Sequence, residues 1–301
     1  MREIIIISGK GGTGKTSLTA AFADLAGQAV VCDLDVDAAD LHLLLQPTET
    51  RREAFLSGHG ALIDAHACTG CGTCAGMCRF GAIRQDASGF SVDARRCEGC
   101  KVCVAFCPYG AVRFVEKHCG EWFTGTTRFG TMVHARLVPG AENSGRLVSV
   151  LKKEARDIAA REGQDIILCD GAPGIGCPVI SSLSGADLAV VVTEPTPSGR
   201  HDLERVLELC AHFRGRAFVI INKCDLNRDE AAGIAAYCKE RNLEVVVELP
   251  HDEIMFTAML RGRTVTEMPD SPFAAALRHA WNRIAALSEM DRETPLTTMN
   301  P

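Results

Sequence analysis

The sequence predicts an α/β fold, a doubly wound and mostly parallel sheet, with a small α+β domain inserted into it. Two observations lead to this prediction. Short apolar runs alternate with helical patterns over most of the chain, and eight of the fifteen cysteines are concentrated in an internal repeat between residues 60 and 114. The 301 residues are 47% hydrophobic and 23% charged, a composition typical of a globular protein with a large core.

The apolar runs have the length of strands and the β-branched composition expected of a parallel sheet that is buried on both faces. They comprise 3–7, 29–35, 166–170, 186–193, 217–222 and 244–249. Helical patterns separate them at 17–27, 145–162, 198–213, 229–241 and 270–288. This alternation implies right-handed crossovers and helices on both faces of the sheet.

A glycine-rich loop directly follows the first run. Residues 8–16 read SGKGGTGKT, and a helical pattern begins at Ser17. A Walker A loop requires this strand–loop–helix context, because glycines let backbone amides approach phosphates at a helix N-terminus. We expect Lys15 to contact the β and γ phosphates and Thr16 to bind Mg²⁺. The residues expected to bind nucleotide here are Gly11, Gly12, Thr13, Gly14, Lys15, Thr16 and Ser17.

An additional lysine, Lys10, lies near the start of this loop. The segment GKGGTGKT resembles the deviant Walker A loop of the MinD/ParA/nitrogenase iron protein family of P-loop ATPases. In that family the early lysine reaches the partner's phosphates across a nucleotide-sandwich dimer. The resemblance therefore implies a homodimer, or a dimer with a paralogous ATPase, in which Lys10 acts across the interface. The alternative is an ordinary solvated loop lysine.

Carboxylates end two of the predicted strands. The run 29–35 contains Asp33 and Asp35, and the run beginning at residue 166 ends at Asp170, before a loop rich in proline and glycine. The resemblance implies that Asp33 and Asp170 hold Mg²⁺ together with Thr16, and that Asp170 and the following loop form Walker B and switch II. It also implies that Asp35 orients the attacking water, which makes Lys10, Lys15 and Asp35 the expected catalytic residues.

The nucleobase is expected at the ends of the last two strands. Asn222 opens an N-K-x-D sequence that ends at Asp225, and in GTPases such an aspartate accepts hydrogen bonds from guanine. The residues alone leave ATP and GTP open. In MinD-like proteins the same strand end contacts adenine, so the resemblance favours ATP and implies a role for Asn222. The segment beginning at Pro250 is similar to the loop that covers the base in that family.

The internal repeat relates residues 60–85 to residues 89–114 at an offset of 29, and each half contains C-x2-C-x2-C-x3-C. With this spacing three thiolates can surround one cubane while the fourth points toward another. Over about 60–116 the chain resembles bacterial two-cluster ferredoxins. The resemblance implies two [4Fe–4S] clusters, one on a first cysteine set (Cys68, Cys71, Cys74, Cys107) and one on a second cysteine set (Cys97, Cys100, Cys103, Cys78).

The alternative for these cysteines is a pair of four-cysteine zinc sites, but such sites usually pair two C-x2-C knuckles across a longer loop. The first half departs from the ferredoxin pattern at Arg79, where the second half has Pro108. We expect the positive charge of Arg79 to raise the reduction potential of a nearby cluster.

Seven cysteines lie outside the two sets. Those expected to be small buried hydrophobes are Cys32, Cys169, Cys210, Cys224 and Cys238, whereas Cys119 has no evident partner. Cys177 lies seven residues after Asp170, the offset at which the nitrogenase iron protein carries a ligand of its shared interface cluster. The position that matches its second ligand is Asn143, so we expect no shared interface cluster here.

The predicted organisation is a discontinuous P-loop ATPase domain (1–58 and 118–293), a ferredoxin domain at 59–117 and a disordered tail at 294–301. The predicted function is ATP binding and hydrolysis coupled to electron transfer through the clusters. The alternative is an ATP-dependent metallocofactor or iron–sulfur assembly or insertion factor, whose clusters are structural or redox-sensing.

The charge and hydropathy of the chain bear on its partners. The net charge of −6 argues against a nucleic acid partner, and no apolar run reaches the ~20 residues that span a bilayer. The segment 58–118 is slightly basic, which favours a redox protein as partner. We expect a cytoplasmic location, because the first apolar run leads directly into the glycine-rich loop.

Overall fold

The computed structural model describes residues 1–290 except 88, 142, 143, 214, 269 and 270. Over this part of the chain, eleven strands and ten α-helices form. The strands are β1 (Arg2–Ser8), β2 (Val30–Asp33), β3 (Thr48–Ile63), β4 (Ile83–Asp86), β5 (Gly89–Val92), β6 (Val112–Thr127), β7 (Gly130–Leu137), β8 (Ile166–Pro173), β9 (Leu188–Thr193), β10 (Arg216–Asn222) and β11 (Glu244–Leu249). The helices are α1 (Lys15–Ala26), α2 (Leu41–Leu45), α3 (Thr73–Met77), α4 (Val102–Ala105), α5 (Ser144–Glu162), α6 (Cys177–Leu183), α7 (Pro197–His212), α8 (Arg228–Glu240), α9 (Glu253–Leu260) and α10 (Pro272–Met290). The predicted disordered tail, 294–301, lies outside the described residues.

A nine-stranded sheet has the strand order β11-β10-β9-β1-β8-β2-β7-β6-β3. β1 lies parallel between β8 and β9, β10 is parallel to β9 and β11, and β2 is parallel to β7 and β8. The predicted α/β fold with a mostly parallel sheet is therefore confirmed. The strand order also brings the C-terminal ends of β1, β2 and β8 together, where the glycine-rich loop and the predicted carboxylates lie.

The core of the sheet shows why β1 is apolar throughout. Successive residues of a strand point to opposite faces, and the whole segment Ile4–Ile7 is buried, so both faces are covered. On one face Phe22 of α1 stacks on Trp281 of α10 with ring centroids 5.5 Å apart. Burying a side chain of this size stabilises the fold by about 1.5–3 kcal/mol.

Three strands of the large sheet, β3, β6 and β7, are missing from the sequence prediction. β3 is the edge strand, and its first seven residues are exposed, so it carries no apolar run that periodicity could detect. Its place depends on pairing with β6, which is a tertiary interaction. The expected entry and return points of the insertion, near 58 and 118, fall inside β3 and β6.

The chain divides into two compact units. The first comprises Met1–Arg52, Trp122–Arg136 and Ser144–Pro301, and the second comprises Glu53–Glu121 and Leu137–Asn143. The second unit contains the antiparallel β4–β5 hairpin, in which Ile83 faces Val92, and the short helices α3 and α4. Its small buried core consists of Cys74, Ile83 and Val112.

The two halves of the sequence repeat make matching contacts inside the second unit. The Asp64 N–H donates to the Ala111 carbonyl at 2.8 Å, and the equivalent Asp93 N–H donates to the Ala82 carbonyl at 2.7 Å. Two equivalent ion pairs at 3.6 Å, Arg113–Asp64 and Arg84–Asp93, also join one half to the other. The halves are therefore interlocked, since each aspartate is held by residues of the opposite half.

Among the described residues, no helix combines the length and the apolar character needed to cross a membrane.

Candidate functional site

The glycine-rich loop adopts a conformation that its glycines permit. Gly12 and Gly14 have φ angles of 79° and 92°, in the left-handed region that residues with a Cβ rarely adopt. A Cβ on Gly14 would also lie 2.5 Å from Nδ2 of Asn222. That amide donates to the Thr13 carbonyl at 2.7 Å, so the end of β10 holds the loop in place. α1 begins at Lys15, immediately after the loop.

The structure brings the predicted phosphate-binding lysine and the predicted metal-site carboxylates together. Lys15 Nζ lies 2.9 Å from Asp170 Oδ1 and 3.4 Å from Asp35 Oδ2. Asp33 is the register partner of Asp170 on the neighbouring strand. The hydroxyl of Thr19, which the sequence analysis missed, donates to Asp170 Oδ1 at 3.0 Å.

The electrostatics of this group favour an added cation. Burial raises the pKa of Asp33 well above its usual range, and nearby Asp170 raises it further. Burial also raises the pKa of Asp35, although the Lys15 ammonium acts against it. Burial disfavours the charge of Lys15, but attraction by Asp170 and Asp35 outweighs this effect and raises the pKa of Lys15. Three carboxylates thus share one lysine, a donor set suited to Mg²⁺ with its waters.

Two buried polar atoms beside the loop have no partner within the described part of the chain: Asp170 Oδ2 and Thr13 Oγ1. Buried polar atoms are nearly always hydrogen-bonded in folded proteins. A hydrated metal ion at Asp170 and a phosphate oxygen at Thr13 would satisfy both, so the residues present fit a magnesium nucleotide.

Asp33 also organises the segment that follows it. Its Oδ1 accepts the Asp35 N–H at 3.1 Å, and its Oδ2 accepts the Leu41 N–H at 3.2 Å. Both contacts anchor the loop between β2 and α2. Asp33 therefore lies beside Asp170 at the candidate metal site and also positions Asp35.

Lys10 is held within its own chain by Glu194, a residue that the sequence analysis did not single out. Lys10 Nζ lies 2.7 Å from Glu194 Oε1 and donates to the Thr196 hydroxyl at 3.0 Å. Lys223 Nζ lies 3.1 Å from Glu194 Oε2 and donates to the Gly12 carbonyl at 2.9 Å. Burial opposes ionisation of Glu194, but the hydrogen bonds from both lysines lower its pKa. The available signal was its place directly after the apolar run 186–193.

A cleft of about 560 Å³ opens beside the loop. Asn222 and Pro250, the two residues expected at the base, both line it, and so does Gly14. Its other polar side chains are Ser17, Lys223, His251, Asp252 and Glu253, and its apolar side chains are Met255, Phe256, Met259 and Phe273. A cleft that combines apolar side chains with polar groups is typical of a small-molecule site.

Asp225, the aspartate of the N-K-x-D sequence, has a partner inside the chain. Its Oδ1 accepts the His251 N–H at 2.6 Å, and this hydrogen bond lowers the pKa of Asp225. The contact ties the end of β10 to the segment that follows β11.

The first cysteine set converges. All four of its cysteines line one small cavity, whose other lining residues are Ile63, Thr69, Gly72, Thr73, Phe90, Pro108, Tyr109, Ala111 and Val112. Burial raises the pKa of Cys74, and the neighbouring Cys68 and Cys107 raise it further. Cys107 Sγ accepts the Ala111 N–H at 3.3 Å.

The second cysteine set shows related contacts. Burial raises the pKa of Cys103, and the neighbouring Cys97 and Cys100 raise it further. Cys78 Sγ accepts the Ala82 N–H at 3.4 Å, which matches the Cys107 contact in the other half. Backbone amides directed at cysteine sulfurs are a recurring feature of iron–sulfur sites.

No group of three or more His, Cys, Asp or Glu side chains in the described ranges is arranged to hold a single metal ion. The ligands of a structural zinc ion all meet at one atom about 2.3 Å from each sulfur. The cysteines of the two sets do not have that arrangement.

The remaining cysteines are mostly core residues. Those that are buried as predicted are Cys32, Cys169, Cys210 and Cys238, and Cys224 is half-buried. Cys119 is buried too, and its thiol donates to the Ser57 carbonyl at 3.1 Å. Cys177 is exposed at the start of α6. Asn143, the position matched to a second interface ligand, lies outside the described residues.

Comparison with known proteins finds one matching family model and two relatives. A family model described as the CobQ/CobB/MinD/ParA nucleotide binding domain matches residues 4–265. Uncharacterized protein MJ0578 of Methanocaldococcus jannaschii is 34% identical over 228 residues, which are 75% of this chain and 79% of that protein. MJ0579 of the same organism is 28% identical over 88 residues, 29% of this chain and 33% of that protein.

Solved structures share the fold. The septum site-determining protein MinD of Pyrococcus horikoshii, solved in complex with Mg-ADP, has a TM-score of 0.59 at 18% identity, over 97% of this chain and 99% of that chain. The cell division ATPase MinD of Pyrococcus furiosus has a TM-score of 0.57 at 19% identity, over 95% of this chain and 99% of that chain. At such identities the likeness concerns the fold.

Proposed function

Because the chain belongs to the CobQ/CobB/MinD/ParA nucleotide-binding family, we propose that it hydrolyses Mg-ATP and couples its nucleotide state to electron transfer through two [4Fe–4S] clusters. One observation carries this proposal: four cysteines line a single cavity in the second unit of a chain whose first unit has the Lys15–Asp170 site. Neither feature alone would point to a coupled function.

In the nucleotide site, each residue has a role that its contacts support. Thr16, Asp33 and Asp170 are the residues that would hold Mg²⁺, which would neutralise charge on the phosphates when bound. Lys15 exchanges its contacts with Asp170 and Asp35 for the phosphate oxygens. Asp35, which Asp33 positions through the loop backbone, is then free to orient the attacking water.

The contacts around the base cleft favour adenine over guanine. An N-K-x-D aspartate reads guanine by accepting two N–H groups of the base, but here Asp225 already accepts the His251 N–H. The lysine of the same sequence, Lys223, is engaged by Glu194 and the Gly12 carbonyl. One oxygen of the Asp225 carboxylate is therefore already engaged, which disfavours a two-oxygen contact to guanine and supports ATP.

Dimer formation is part of the proposal, either with a second copy or with a paralogous ATPase. Lys10 is 27% exposed and paired with Glu194, so its ammonium is stored close to the surface rather than deep in the core. Triphosphate from a facing protomer competes with one carboxylate for this lysine. A triphosphate carries more negative charge than one carboxylate. We therefore expect the Lys10 ammonium to leave Glu194 and bind the triphosphate when the two copies approach.

In the second unit, the two cysteine sets are the proposed cluster ligands. Each cysteine of a cubane cluster binds a different iron, so the four cysteines of the first set that line one cavity suit such a cluster. Bound clusters supply one-electron redox chemistry at low potential. The Ala82 N–H donates to Cys78 Sγ and the Ala111 N–H donates to Cys107 Sγ, contacts that would stabilise the charge of cluster-bound sulfur. We expect a redox protein as partner.

Chain continuity supports coupling between the two functions. β3 begins within the first unit's residue range and ends within the second's, and β6 does the reverse. Both are long strands of one hydrogen-bonded sheet that also contains β2 and β8, which bear Asp33 and Asp170. A change at those carboxylates therefore acts on the sheet from which the second unit is continued.

The test is an anaerobic potentiometric titration of the clusters, monitored by EPR, with and without Mg²⁺ and a non-hydrolysable ATP analogue. Coupling is reciprocal, so a tenfold preference of nucleotide for one redox state shifts the potential by about 59 mV per electron. The control is Lys15→Gln, which should abolish the shift while the iron content remains unchanged. Intact clusters with no shift in the wild-type protein would contradict the coupling.

A second candidate function, cluster or metallocofactor assembly, is favoured by one observation. Cys71 and Cys100, one in each set, are exposed, and a transferable cluster needs accessible ligands. Incubation of the loaded protein with an apo acceptor and ATP separates the two functions. Rapid ATP-dependent loss of iron to the acceptor supports assembly, and retention of iron through many turnovers supports electron transfer.

A further inference from the structure

The two cysteine sets lie in different electrostatic surroundings although the repeat makes their backbones equivalent. At five positions around the second set the chain has a basic residue where the 29-residue counterpart around the first set is Gly, Ser, Pro, His or Ala. The pairs, basic residue first, are Lys101 and Gly72, Lys117 and Ser88, Arg79 and Pro108, Arg95 and His66, and Arg96 and Ala67.

Lys117 is the basic residue that the structure places most firmly at the second set. Its Nζ donates to the Cys97 carbonyl at 2.5 Å, and the side chain is half-buried. It packs against Gly60, where an added Cβ would lie only 3.2 Å from Lys117 Cε. The neighbouring Ala61 N–H donates to Cys97 Sγ at 3.5 Å. A half-buried ammonium is screened less by solvent than an exposed one.

Lys101 lies within the second set's own loop. It has a φ of 67°, and its Nζ lies 5.4 Å from the centre of the Phe114 ring. Phe114 in turn stacks on His59 with ring centroids 5.1 Å apart. The ammonium is therefore held beside the loop that carries Cys97, Cys100 and Cys103.

The cavity of the first set provides the contrast. Among its lining residues, all of which belong to the described part of the chain, none has a charged side chain, and Ile63, Phe90 and Val112 make it apolar. Three features act against this difference between the sets. Thr73 Oγ1 lies 3.4 Å from Cys71 Sγ in the first set. In the second, the acidic residues Glu98 and Glu116 adjoin Cys97 and Lys117 in the sequence, and Glu116 is exposed. Cys71 and Glu98 are exposed as well, so solvent weakens all three effects more than it weakens that of Lys117.

Reduction adds one negative charge to a cluster. Nearby cations stabilise that charge, and an apolar cavity without counter-charges disfavours it. The electrostatic difference between the sets therefore becomes a difference in reduction potential.

We propose that the second set holds the cluster of higher potential, and that Lys117 and Lys101 raise that potential above the potential of the first set. In a chain reduced by a single electron, that electron then resides mainly on the cluster of the second set. The two clusters therefore differ in reduction potential. The inference rests on the proposed clusters and names the residues that order them.

The experiment is the same anaerobic titration without nucleotide, on wild type and three full-length variants whose iron content is measured first. Wild-type protein with about eight iron atoms per chain should show two one-electron steps. Lys117→Gln removes the charge but keeps a hydrogen-bond donor. It should lower only the higher of the two reduction potentials. Lys117→Arg keeps the charge and should leave both steps in place.

Gly72→Lys places the counterpart of Lys101 beside the first set. Lysine is already accommodated at a φ of 67° at residue 101, close to the 75° of Gly72, and an added Cβ would meet Phe90 at an ordinary 3.5 Å. This variant should raise only the lower of the two reduction potentials, and so reduce the difference between them. A tenfold shift in electron occupancy corresponds to about 59 mV.

The outcomes separate this inference from the proposed function. Coincident steps in the wild-type protein, or a Lys117→Gln variant that lowers the lower step, would overturn the inference and leave ATP-linked redox function intact. Protein that binds no iron under anaerobic reconstitution would overturn both.

Discussion

At the scale of the residue, the chain concentrates buried polar groups where β1, β2 and β8 end. Lys15 lies between Asp170 and Asp35, and Glu194 holds Lys10 and Lys223. Lys15 and Asp170 were predictable, because each follows an apolar run in a recognisable sequence. Glu194 also follows an apolar run, but in no recognisable motif. Its role comes from two lysines, one more than 180 residues away in the chain, that only the folded sheet brings to it.

His134 gives a prediction at this scale. Its pKa is lowered from 6.5 to about 4, mainly by burial and also by the nearby charges of His42 and Arg136. The His134 ring stacks between the rings of Phe123 and His42. The unfolded chain therefore takes up a proton below pH 6.5 that the folded chain accepts only near pH 4. The free energy of unfolding should fall by about 3 kcal/mol over this window.

The variant His134→Phe keeps the ring stack and removes the titration. Urea unfolding at several pH values should show the acid-dependent loss reduced in this variant, while the exposed His279→Gln variant behaves as wild type. An unchanged pH dependence in His134→Phe would contradict the assignment.

For the elements, buried charges join α5 to the start of β1, the end of that strand away from the glycine-rich loop. Lys152 of α5 lies 2.6 Å from the Glu3 carboxylate of β1 and donates to the Ser184 carbonyl at 2.7 Å. It also donates to the Ser182 carbonyl, so it caps the C-terminal end of α6. α6 directly follows the loop after Asp170, and this lysine anchors it.

Removing that lysine should be costly. Lys152→Met leaves the buried Glu3 carboxylate with one partner fewer and the end of α6 without its donor. We expect a loss of about 3–5 kcal/mol in the free energy of unfolding, measured by guanidinium titration. The neighbouring Lys153 is exposed, so Lys153→Met should stay within about 0.5 kcal/mol of wild type. Equal losses in the two variants would show that burial is not the cause.

At the scale of the whole molecule, the two compact units have very different cores. The first unit has a large apolar core along the parallel sheet, whereas the second has a small cluster of three buried residues with half-buried apolar residues and cysteines packed around it. Small domains of this kind usually need metals or disulfides to fold. The second unit should therefore depend on its clusters, and the first should not.

Iron removal tests this difference. After chelation, hydrogen exchange should become fast across residues 60–116 and remain slow in β1, β8 and β9. Mg-ATP should still stabilise the first unit, by about 2.7 kcal/mol at a hundredfold excess over its Kd. Slow exchange across 60–116 in iron-free protein would show that the second unit folds without clusters.

Local patterns were enough to predict most of the parallel strands, the glycine-rich loop, the carboxylates at the strand ends and the grouping of the cysteines. These patterns are apolar runs, glycines where φ is positive, and a repeat with constant spacing. The edge strand β3, the pairing of Glu194 with two lysines and the Asp225–His251 contact were visible only in the folded chain. Each depends on residues that are distant in the chain and meet only when the sheet forms, and no local pattern encodes such a meeting.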